Sequence, residues 1–409
     1  MTLNPSICLK DANLLDVRKG ELVGLCNIFV EAGMIVDVSG RDPETAQLVI
    51  DVKGKTVMPG LCDAHVHVVA ATASFPDLER WAGSYTTARA GQILSGMLSR
   101  GFTTVRDCGG ADFGIAQAVD EGFLIGPRVL FCGHAISQTG GHGDMRGKAD
   151  DWEACTCCHG LGTIVDGVPE VRRACRNELR KGAHFIKIMA SGGVSSPTDR
   201  ISNTQFALDE ITAAVEEAEA TETYVAAHVY TARAAKRVLK CGVRSIEHGN
   251  LIDDEVMDLM IEKGAFLVPT MSTHEVLKSE GLEGGLTVEM HEKVDEVVEA
   301  GYRTHKRAHE KGVKLVFGTD LLGAMHRHQL LEFSIRSKFQ TPIEIIRSAT
   351  LTAAELFNMV GRVGEIVPGA YADLIVIDGD PVIDIKYLQD PDRYLKLIMK
   401  DGKIYKNAI

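Results

Sequence analysis

The sequence has no apolar run long enough to cross a membrane, few aromatic residues and no excess of positive charge. No apolar stretch approaches the roughly 18 residues that a transmembrane helix needs. Aromatic residues make up 6% of the 409 residues, and the formal net charge is -12. Nucleic acids and anionic membrane surfaces favour proteins rich in Lys and Arg, so the charge argues against both as partners. With 45% hydrophobic residues, the chain is large enough for a big catalytic domain and a smaller one.

Targeting signals and a disulfide framework are also absent. The first residues lack a basic region followed by an apolar core, so we expect a cytoplasmic protein. The ten cysteines are scattered, and Cys62, Cys108, Cys132 and Cys241 occupy strand-like positions, which favours reduced, buried thiols. Only Cys155–Cys158 is clustered. No second cysteine pair follows it at the spacing of a zinc finger, so we do not expect a metal there.

Three segments differ in their pattern of apolar residues. Residues 1–58 contain short alternating stretches separated by glycines, which predicts a small antiparallel sheet. Between 59 and 359, apolar strand-like runs alternate with helical patterns, which is typical of a parallel sheet with crossover helices. Residues 360–409 return to short strands. We therefore predict that both chain ends pair into one small β-sandwich-like domain.

The central segment contains eight strand-like runs, the number that closes a (β/α)8 TIM barrel of the α/β class. They begin near Leu61, Thr103, Arg128, His184, Thr223, Ser245, Ala265 and Lys314. Apolar residues three and four apart predict helices over 206–215 and 294–301. His305 and His309 follow on the later helix, but no Glu comes after His305 as a zincin motif requires, so we expect a solvated helix face.

Two histidines, His65 and His67, stand at the end of the first barrel strand. Side chains alternate faces along a strand, so both can reach one metal ion. Taken alone, such a short motif is weak. Lys187, His228, His248 and Asp320, however, also stand at or near the ends of apolar runs, where a parallel barrel builds its active site.

Lys187 and Asp320 suggest specific roles at such a site. A bare lysine ammonium would repel metal cations, so Lys187 belongs there only if carboxylation reverses its charge. Asp320 could take a proton as a general base and return it as a general acid. The simpler alternatives are a lysine paired with a carboxylate and half-buried histidines with satisfied hydrogen bonds. Each of these alternatives explains one residue taken alone better than it explains the six residues taken together.

Three features carry a resemblance to a known family: Pro59–His67, the order of the Lys, His and Asp positions, and the tail Pro368–Leu374. By these features the chain resembles the amidohydrolase superfamily over nearly its whole length. The resemblance implies that carboxylated Lys187 bridges two divalent cations, usually Zn2+. The remaining implied ligands are His65, His67 and Asp320 on one cation, and His228 and His248 on the other. It further implies that a hydroxide shared by the cations attacks an amide, with Asp320 as the proton shuttle.

A narrower resemblance points to the prolidase-like dipeptidases and carboxypeptidases of this superfamily. It lies in Gln138–Asp144, Ser191–Pro197 and His228–Tyr230. It implies that His142 and Tyr230 meet the substrate carboxylate and the carbonyl under attack, where an imidazole or a phenol can act as a hydrogen-bond donor. The alternatives are a solvent-facing His142 on a flexible loop and a Tyr230 that only caps the barrel.

The sequence therefore predicts a binuclear metal-dependent hydrolase that removes the C-terminal residue of dipeptides, Xaa-Pro first. The small-molecule substrate would carry a free carboxylate, and relatives suggest a homo-oligomer. Other candidates are an Xaa-Arg or Xaa-Lys carboxypeptidase and a hydrolase of N-acyl amino acids, imidazolone-like cyclic amides or aryl amides. A catalytically silent scaffold is disfavoured because all six ligand positions are filled.

Overall fold

The computed structural model describes residues 6–151 and 160–409. Its strands are β1 (Ile7–Asp16), β2 (Glu21–Glu31), β3 (Met34–Ser39), β4 (Leu48–Asp51), β5 (Thr56–Pro59), β6 (Leu61–Val66), β7 (Phe102–Asp107), β8 (Arg128–Phe131), β9 (Ala135–Ser137), β10 (Gly162–Ile164), β11 (Ile186–Met189), β12 (Val225–Thr231), β13 (Ser245–Leu251), β14 (Phe266–Val268), β15 (Lys314–Leu315), β16 (Leu374–Ile377), β17 (Leu395–Lys400) and β18 (Lys403–Asn407).

The helices lie mostly between the central strands. They are α1 (Phe75–Arg80), α2 (Gly83–Ser99), α3 (Phe113–Asp120), α4 (Val168–Arg180), α5 (Leu208–Glu219), α6 (Ala232–Lys240), α7 (Asp254–Lys263), α8 (Met271–Gly284), α9 (Val288–Lys311), α10 (Leu331–Arg336), α11 (Pro342–Ser348), α12 (Leu351–Leu356) and α13 (Pro391–Tyr394). Short 3-10 turns span Pro43–Thr45, Gly323–His328 and Ile385–Leu388.

Eight parallel strands form the barrel wall: β6-β7-β8 pair in one sheet and β11-β12-β13-β14-β15 in another, in which β9 and β10 follow at the edge of β11. The amide of His184 donates to the carbonyl of Phe131 at 2.8 Å and joins the third strand to the fourth. At the other seam, the amide of Ala64 donates to the carbonyl of Phe317 at 2.8 Å and joins the first strand to the last. The predicted barrel is therefore confirmed.

Both chain ends contribute to a second sheet. Its strands follow the order β18-β17-β16-β5-β1-β2-β3, and β4 also pairs with β1. The prediction of an antiparallel N-terminal sheet holds for the hairpins β1-β2-β3 and is wrong for β4 and β5. The two hairpins reverse the chain twice, and both β4 and β5 then run parallel to β1. Strand β16 pairs with β5 and joins the two ends. The domain boundaries at 58/59 and 359/360 stay predictions.

The barrel strands are buried on both faces, which is expected where helices cover a parallel sheet. Every residue of β6 and β7 is buried. The helices outside begin at side-chain caps: Asp112, Thr231 and Asp253 each accept a hydrogen bond from a backbone amide of the first turn. These caps fix the starts of the helices that follow the barrel strands.

Helix α9 differs from its sequence prediction at one residue. His305 is fully buried, and its Nε2 donates to the backbone carbonyl of His248 at 2.6 Å. The expected solvated face is therefore wrong for His305, because α9 packs this face against β13.

The cysteines that the structure describes are free thiols. Cys62, Cys108 and Cys132 are buried as predicted, whereas Cys241 is half-buried. The Cys155–Cys158 cluster lies outside the described residues. None of the helices in the described ranges has the length and apolar character needed to span a bilayer.

Candidate active site

One cavity of about 770 Å³ opens at the C-terminal mouth of the barrel. All six predicted metal ligands contribute to its walls. They are His65 in β6, His67 just after it, Lys187 in β11, His228 in β12, His248 in β13 and Asp320 after β15. The chain therefore brings residues from 65 to 320 together because parallel strands end at the same edge of a barrel.

The side chains lie at ligand-like separations. Asp320 Oδ1 is 3.1 Å from His67 Nε2 and 3.4 Å from His65 Nε2. The His248 ring lies 5.0 Å from the His65 ring and 4.7 Å from the His228 ring, centroid to centroid. Ligand atoms of His65, His248 and Asp320 all fall within 4.8 Å of one another, which is compact enough to hold a metal ion.

Backbone carbonyls fix the orientation of two of the imidazoles. His67 Nδ1 is 2.9 Å from the carbonyl of Gly109, and His228 Nε2 is 3.3 Å from the carbonyl of Gly192. A carbonyl can only accept, so each of these ring nitrogens carries the proton. The second nitrogen of each ring is left free to bind a cation.

His65 is oriented by a buried carboxylate. Glu247 Oε2 is 2.7 Å from His65 Nδ1, and Glu247 Oε1 accepts from Arg106 Nη2 at 2.7 Å and from Ser245 Oγ at 2.5 Å. Burial alone would raise the pKa of Glu247, but Arg106 and His65 hold it well below its usual range. The ionised carboxylate therefore keeps the His65 Nε2 atom free for a cation. Sequence reasoning missed both Glu247 and Arg106.

The protonation states also suit metal binding. Burial, with Lys187 nearby, lowers the pKa of His65 to about 4, and burial holds the pKa values of His228 and His248 well below their usual range. Burial raises the pKa of Asp320, but His65 and His67 outweigh it and bring the pKa to about 2. At neutral pH the site therefore offers His65, His228 and His248 as neutral imidazoles and Asp320 as an ionised carboxylate, the forms that bind metals. Burial lowers the pKa of His67, but the hydrogen bond to Asp320 and the charge of Asp320 outweigh it and raise this pKa.

Lys187 fits this set only in a modified form. Its side chain is 1% exposed, and within residues 6–151 and 160–409 it makes no hydrogen bond or ion pair. Burying a bare ammonium without a partner is costly. A carboxylated lysine would instead add oxygen ligands, so the residues present fit a pair of divalent cations.

Three non-glycine residues around the cavity have left-handed backbone conformations: His248 (φ 72°), Thr270 (φ 50°) and Asp320 (φ 54°). Such conformations cost on the order of 1–3 kcal/mol each and persist where the surroundings over-determine them. The amide of Asp320 donates to the carbonyl of His65 at 2.7 Å, and Thr270 Oγ1 lies 2.7 Å from His248 Nδ1. Three of the ten non-glycine residues with positive φ in the described ranges are therefore found around the candidate ligands.

His142 lies on the wall beside His228. Its ring stacks on that of His228 with centroids 4.1 Å apart, and its Nδ1 lies 2.8 Å from Ser196 Oγ. A Cβ at Gly193 would come within 2.1 Å of the His142 ring, so only glycine allows this approach. The two segments that carry the narrower resemblance, 138–144 and 191–197, therefore pack together. The His142 ring does not point freely into solvent.

Tyr230 lies next to His142 and is 4% exposed. Its ring stacks on His248 with centroids 5.3 Å apart, and its hydroxyl is 2.9 Å from His274 Nε2. Burial, with Asp320 adding to it, raises the pKa of Tyr230 well above its usual range, so the phenol stays neutral. His274 was not predicted, although the polar residues 270–274 that follow the apolar run of β14 could have indicated it.

The chain is similar to proteins of known family and structure. The Amidohydrolase family matches residues 56–405. A prolidase crystallised with N-methylphosphonate-L-proline is 46% identical, covers 98% of this chain and 100% of its own, and superposes with a TM-score of 0.96. A Xaa-Pro dipeptidase with bound methionine is 32% identical over 98% and 100% of the two chains, with a TM-score of 0.89. Ochratoxinase from Aspergillus niger is 32% identical over 86% of this chain and 75% of its own.

Proposed function

Because the chain belongs to the amidohydrolase family, whose relatives here hydrolyse amide bonds, we propose that it is a dipeptidase that releases the C-terminal residue of Xaa-Pro substrates. The observation that carries the proposal is the meeting of six nitrogen and oxygen ligands with His142 and Tyr230 in one cavity. The prolidase and Xaa-Pro dipeptidase relatives support the choice of proline. A cytoplasmic location and a homo-oligomeric state, expected from the sequence, belong to the same proposal.

In this proposal, His65, His67 and Asp320 hold one divalent cation and His228 and His248 hold the other, with carboxylated Lys187 between them. Zinc is the proposed metal because mixed imidazole and carboxylate ligands suit it. When bound, two such cations activate water and polarise the scissile carbonyl.

The protein side chains then supply proton transfer and hydrogen bonds. Asp320, ionised at neutral pH, takes a proton from the attacking water and returns it to the nitrogen of the departing amino acid. The neutral Tyr230 phenol and the His142 imidazole, whose pKa burial lowers, offer hydrogen bonds to the substrate carboxylate and to the oxygen of the attacked carbonyl.

A dipeptide library tests the proposal. Zinc-loaded protein is incubated with Xaa-Pro, Xaa-Arg and Xaa-Lys dipeptides and with N-acyl-proline, and free amino acid is measured. We expect release from Xaa-Pro well above the others, and loss of release in Asp320→Asn. Preferred release of Arg or Lys, or no release of any amino acid, contradicts the Xaa-Pro proposal and leaves family membership intact.

A second candidate is hydrolysis of an aryl amide of an amino acid. The 32% identity to ochratoxinase favours it, and so do the apolar side chains of Phe75, Leu277 and Leu322 in the cavity wall. A library extended with N-aroyl-phenylalanine separates the two candidates. Faster release of phenylalanine from that compound than of proline from any dipeptide would favour the second candidate.

A further inference from the structure

Glu79 is a cavity residue for which the reaction above has no role. It lies on α1, half-buried, and its neighbours in the cavity wall include the apolar side chains of Phe75, Met145 and Leu161. Among the described residues that form the wall, Glu79 and Asp320 are the carboxylates. Asp320 is committed to the ligand cluster, so Glu79 is the acid available to the substrate itself.

The contacts of Glu79 place it beside the segment that leads into β10. Its Cγ would lie 3.4 Å from a Cβ at Gly160. The next residue, Leu161, packs beside the metal ligands: a Cβ at Gly109 would lie 2.7 Å from the Leu161 carbonyl oxygen and 3.5 Å from His67 Cε1. Glu79 thus packs on the residue before Leu161, which lines the cavity together with His67.

The part of the cavity around His228 has different chemistry. His142 stacks on His228, the ligand expected to hold the other cation, and Tyr230 with its partner His274 lies beside them. These groups are neutral hydrogen-bonding groups, suited to a carboxylate or a carbonyl oxygen. Outside the cluster of candidate ligands, the described cavity wall therefore has one carboxylate, Glu79 on α1, and neutral hydrogen-bonding groups around His228.

Glu79 also lacks a counter-charge of its own. Within residues 6–151 and 160–409 it makes no hydrogen bond and no ion pair. Burial raises its pKa and Asp144 adds to this, while only the neighbouring Arg80 opposes the shift. A carboxylate among apolar side chains gains free energy when a cationic donor reaches it, because charge-assisted hydrogen bonds are the strong ones.

We propose that the Glu79 carboxylate binds the free α-ammonium group of the dipeptide, with the N-terminal side chain packed against α1. This inference rests on the proposed dipeptidase function and deepens it. A dipeptide carries a cation on the carbon next to the scissile carbonyl and an anion beyond the scissile nitrogen. The cavity offers the Glu79 carboxylate for the cation and neutral hydrogen-bonding groups for the anion. N-acyl and aroyl amino acids lack the ammonium and therefore lose this contact.

The test compares substrates with and without the ammonium group. Zinc-loaded wild-type protein, Glu79→Gln and the control Asp77→Asn are assayed on Met-Pro and on its des-amino analogue, 4-(methylthio)butanoyl-proline. Asp77 is an exposed carboxylate on the same helix, so its variant removes one negative charge from α1 without touching the cavity. Activity on the des-amino compound reports whether each variant is folded and metal-loaded.

We expect Glu79→Gln to lower kcat/KM for Met-Pro by about 10- to 100-fold, the range for hydrogen bonds to charged groups. Its kcat/KM for the des-amino compound should stay within about twofold of wild type, as should both values of Asp77→Asn. Equal losses on the two substrates, or no loss on either, would overturn the ammonium site while leaving the dipeptidase proposal standing. If wild-type protein releases proline from neither compound, the proposed function itself is wrong and the ammonium site with it.

Discussion

The two sides of the cavity are built differently. On the strand side, the candidate ligands stand on or just after buried barrel strands, and the outer ring atoms of the histidines contact backbone carbonyls, Glu247 or Thr270. On the loop side, His142 lies on the loop after β9 and Glu79 on α1, and the hydroxyl of Tyr230 reaches out from β12 to His274 of α8. The comparison teaches that the barrel fixes the chemistry, while the connecting segments decide which amide is cut.

Lys187→Ala should have the largest effect, because it removes the proposed bridge on the strand side. We expect loss of bound metal and a fall in activity of about a thousandfold or more, with partial rescue by acetate or propionate filling the gap. Metal analysis of the purified variant and assays with and without the acid measure both effects. Lys240→Ala, at an exposed lysine of α6, is the matched control. Full activity in Lys187→Ala would show that the strand side does not depend on this residue.

Glu247→Gln tests how far the strand side depends on its outer contacts. The variant leaves His65 without an ionised partner, and we expect zinc affinity to fall about 10- to 100-fold. It also leaves Arg106 buried without its counter-charge, which should cost about 3–5 kcal/mol of unfolding free energy. Competition with a zinc chelator and urea unfolding provide the two measurements. Exposed Glu219→Gln serves as control, and unchanged zinc affinity in Glu247→Gln would contradict the orienting role.

Tyr230→Phe tests the loop side, where activity should change without loss of metal. Removing one hydroxyl that meets a charged or developing charged group should lower kcat/KM by about 10- to 100-fold. Zinc content should equal that of wild type, since the hydroxyl contacts His274 and not a ligand. A variant that loses zinc along with activity would mean that the two sides are not separable as described.

The strand side could be predicted from sequence and the loop side only in part. Polar residues at the ends of apolar strands are expected at the mouth of a parallel barrel, so the six side chains that line the cavity could be named before any coordinates, while their role as metal ligands stays a prediction. Glu247 meets Arg106 across 141 positions of sequence, and no local pattern encodes that pairing. The burial of His305 depends on how α9 packs against β13, and the contact of Glu79 with the cavity depends on the path of the chain after β6.

The smallest expected effect concerns His326, which is hydrogen-bonded to the loop after β6. His326 is buried, its Nε2 donates to the carbonyl of Ala70 at 3.2 Å, and burial, together with Arg100, lowers its pKa to about 3. An unfolded histidine has a pKa of about 6.5. Between these values the unfolded chain binds one more proton than the folded protein, so stability falls as pH falls, by about 1.4 kcal/mol per pH unit.

His326→Gln should therefore reduce the pH dependence of stability, because glutamine can keep the hydrogen bond to Ala70 without titrating. Urea unfolding of the metal-free proteins at several pH values between 4 and 6.5 measures the slope of unfolding free energy against pH. We expect the slope of the variant to be smaller than that of wild type by up to about 1.4 kcal/mol per pH unit. Identical slopes would mean that His326 is not held neutral in the folded protein. In that case His326 would not hold the loop side as a buried neutral histidine. The loop side would then differ in rigidity from the strand side by more than described.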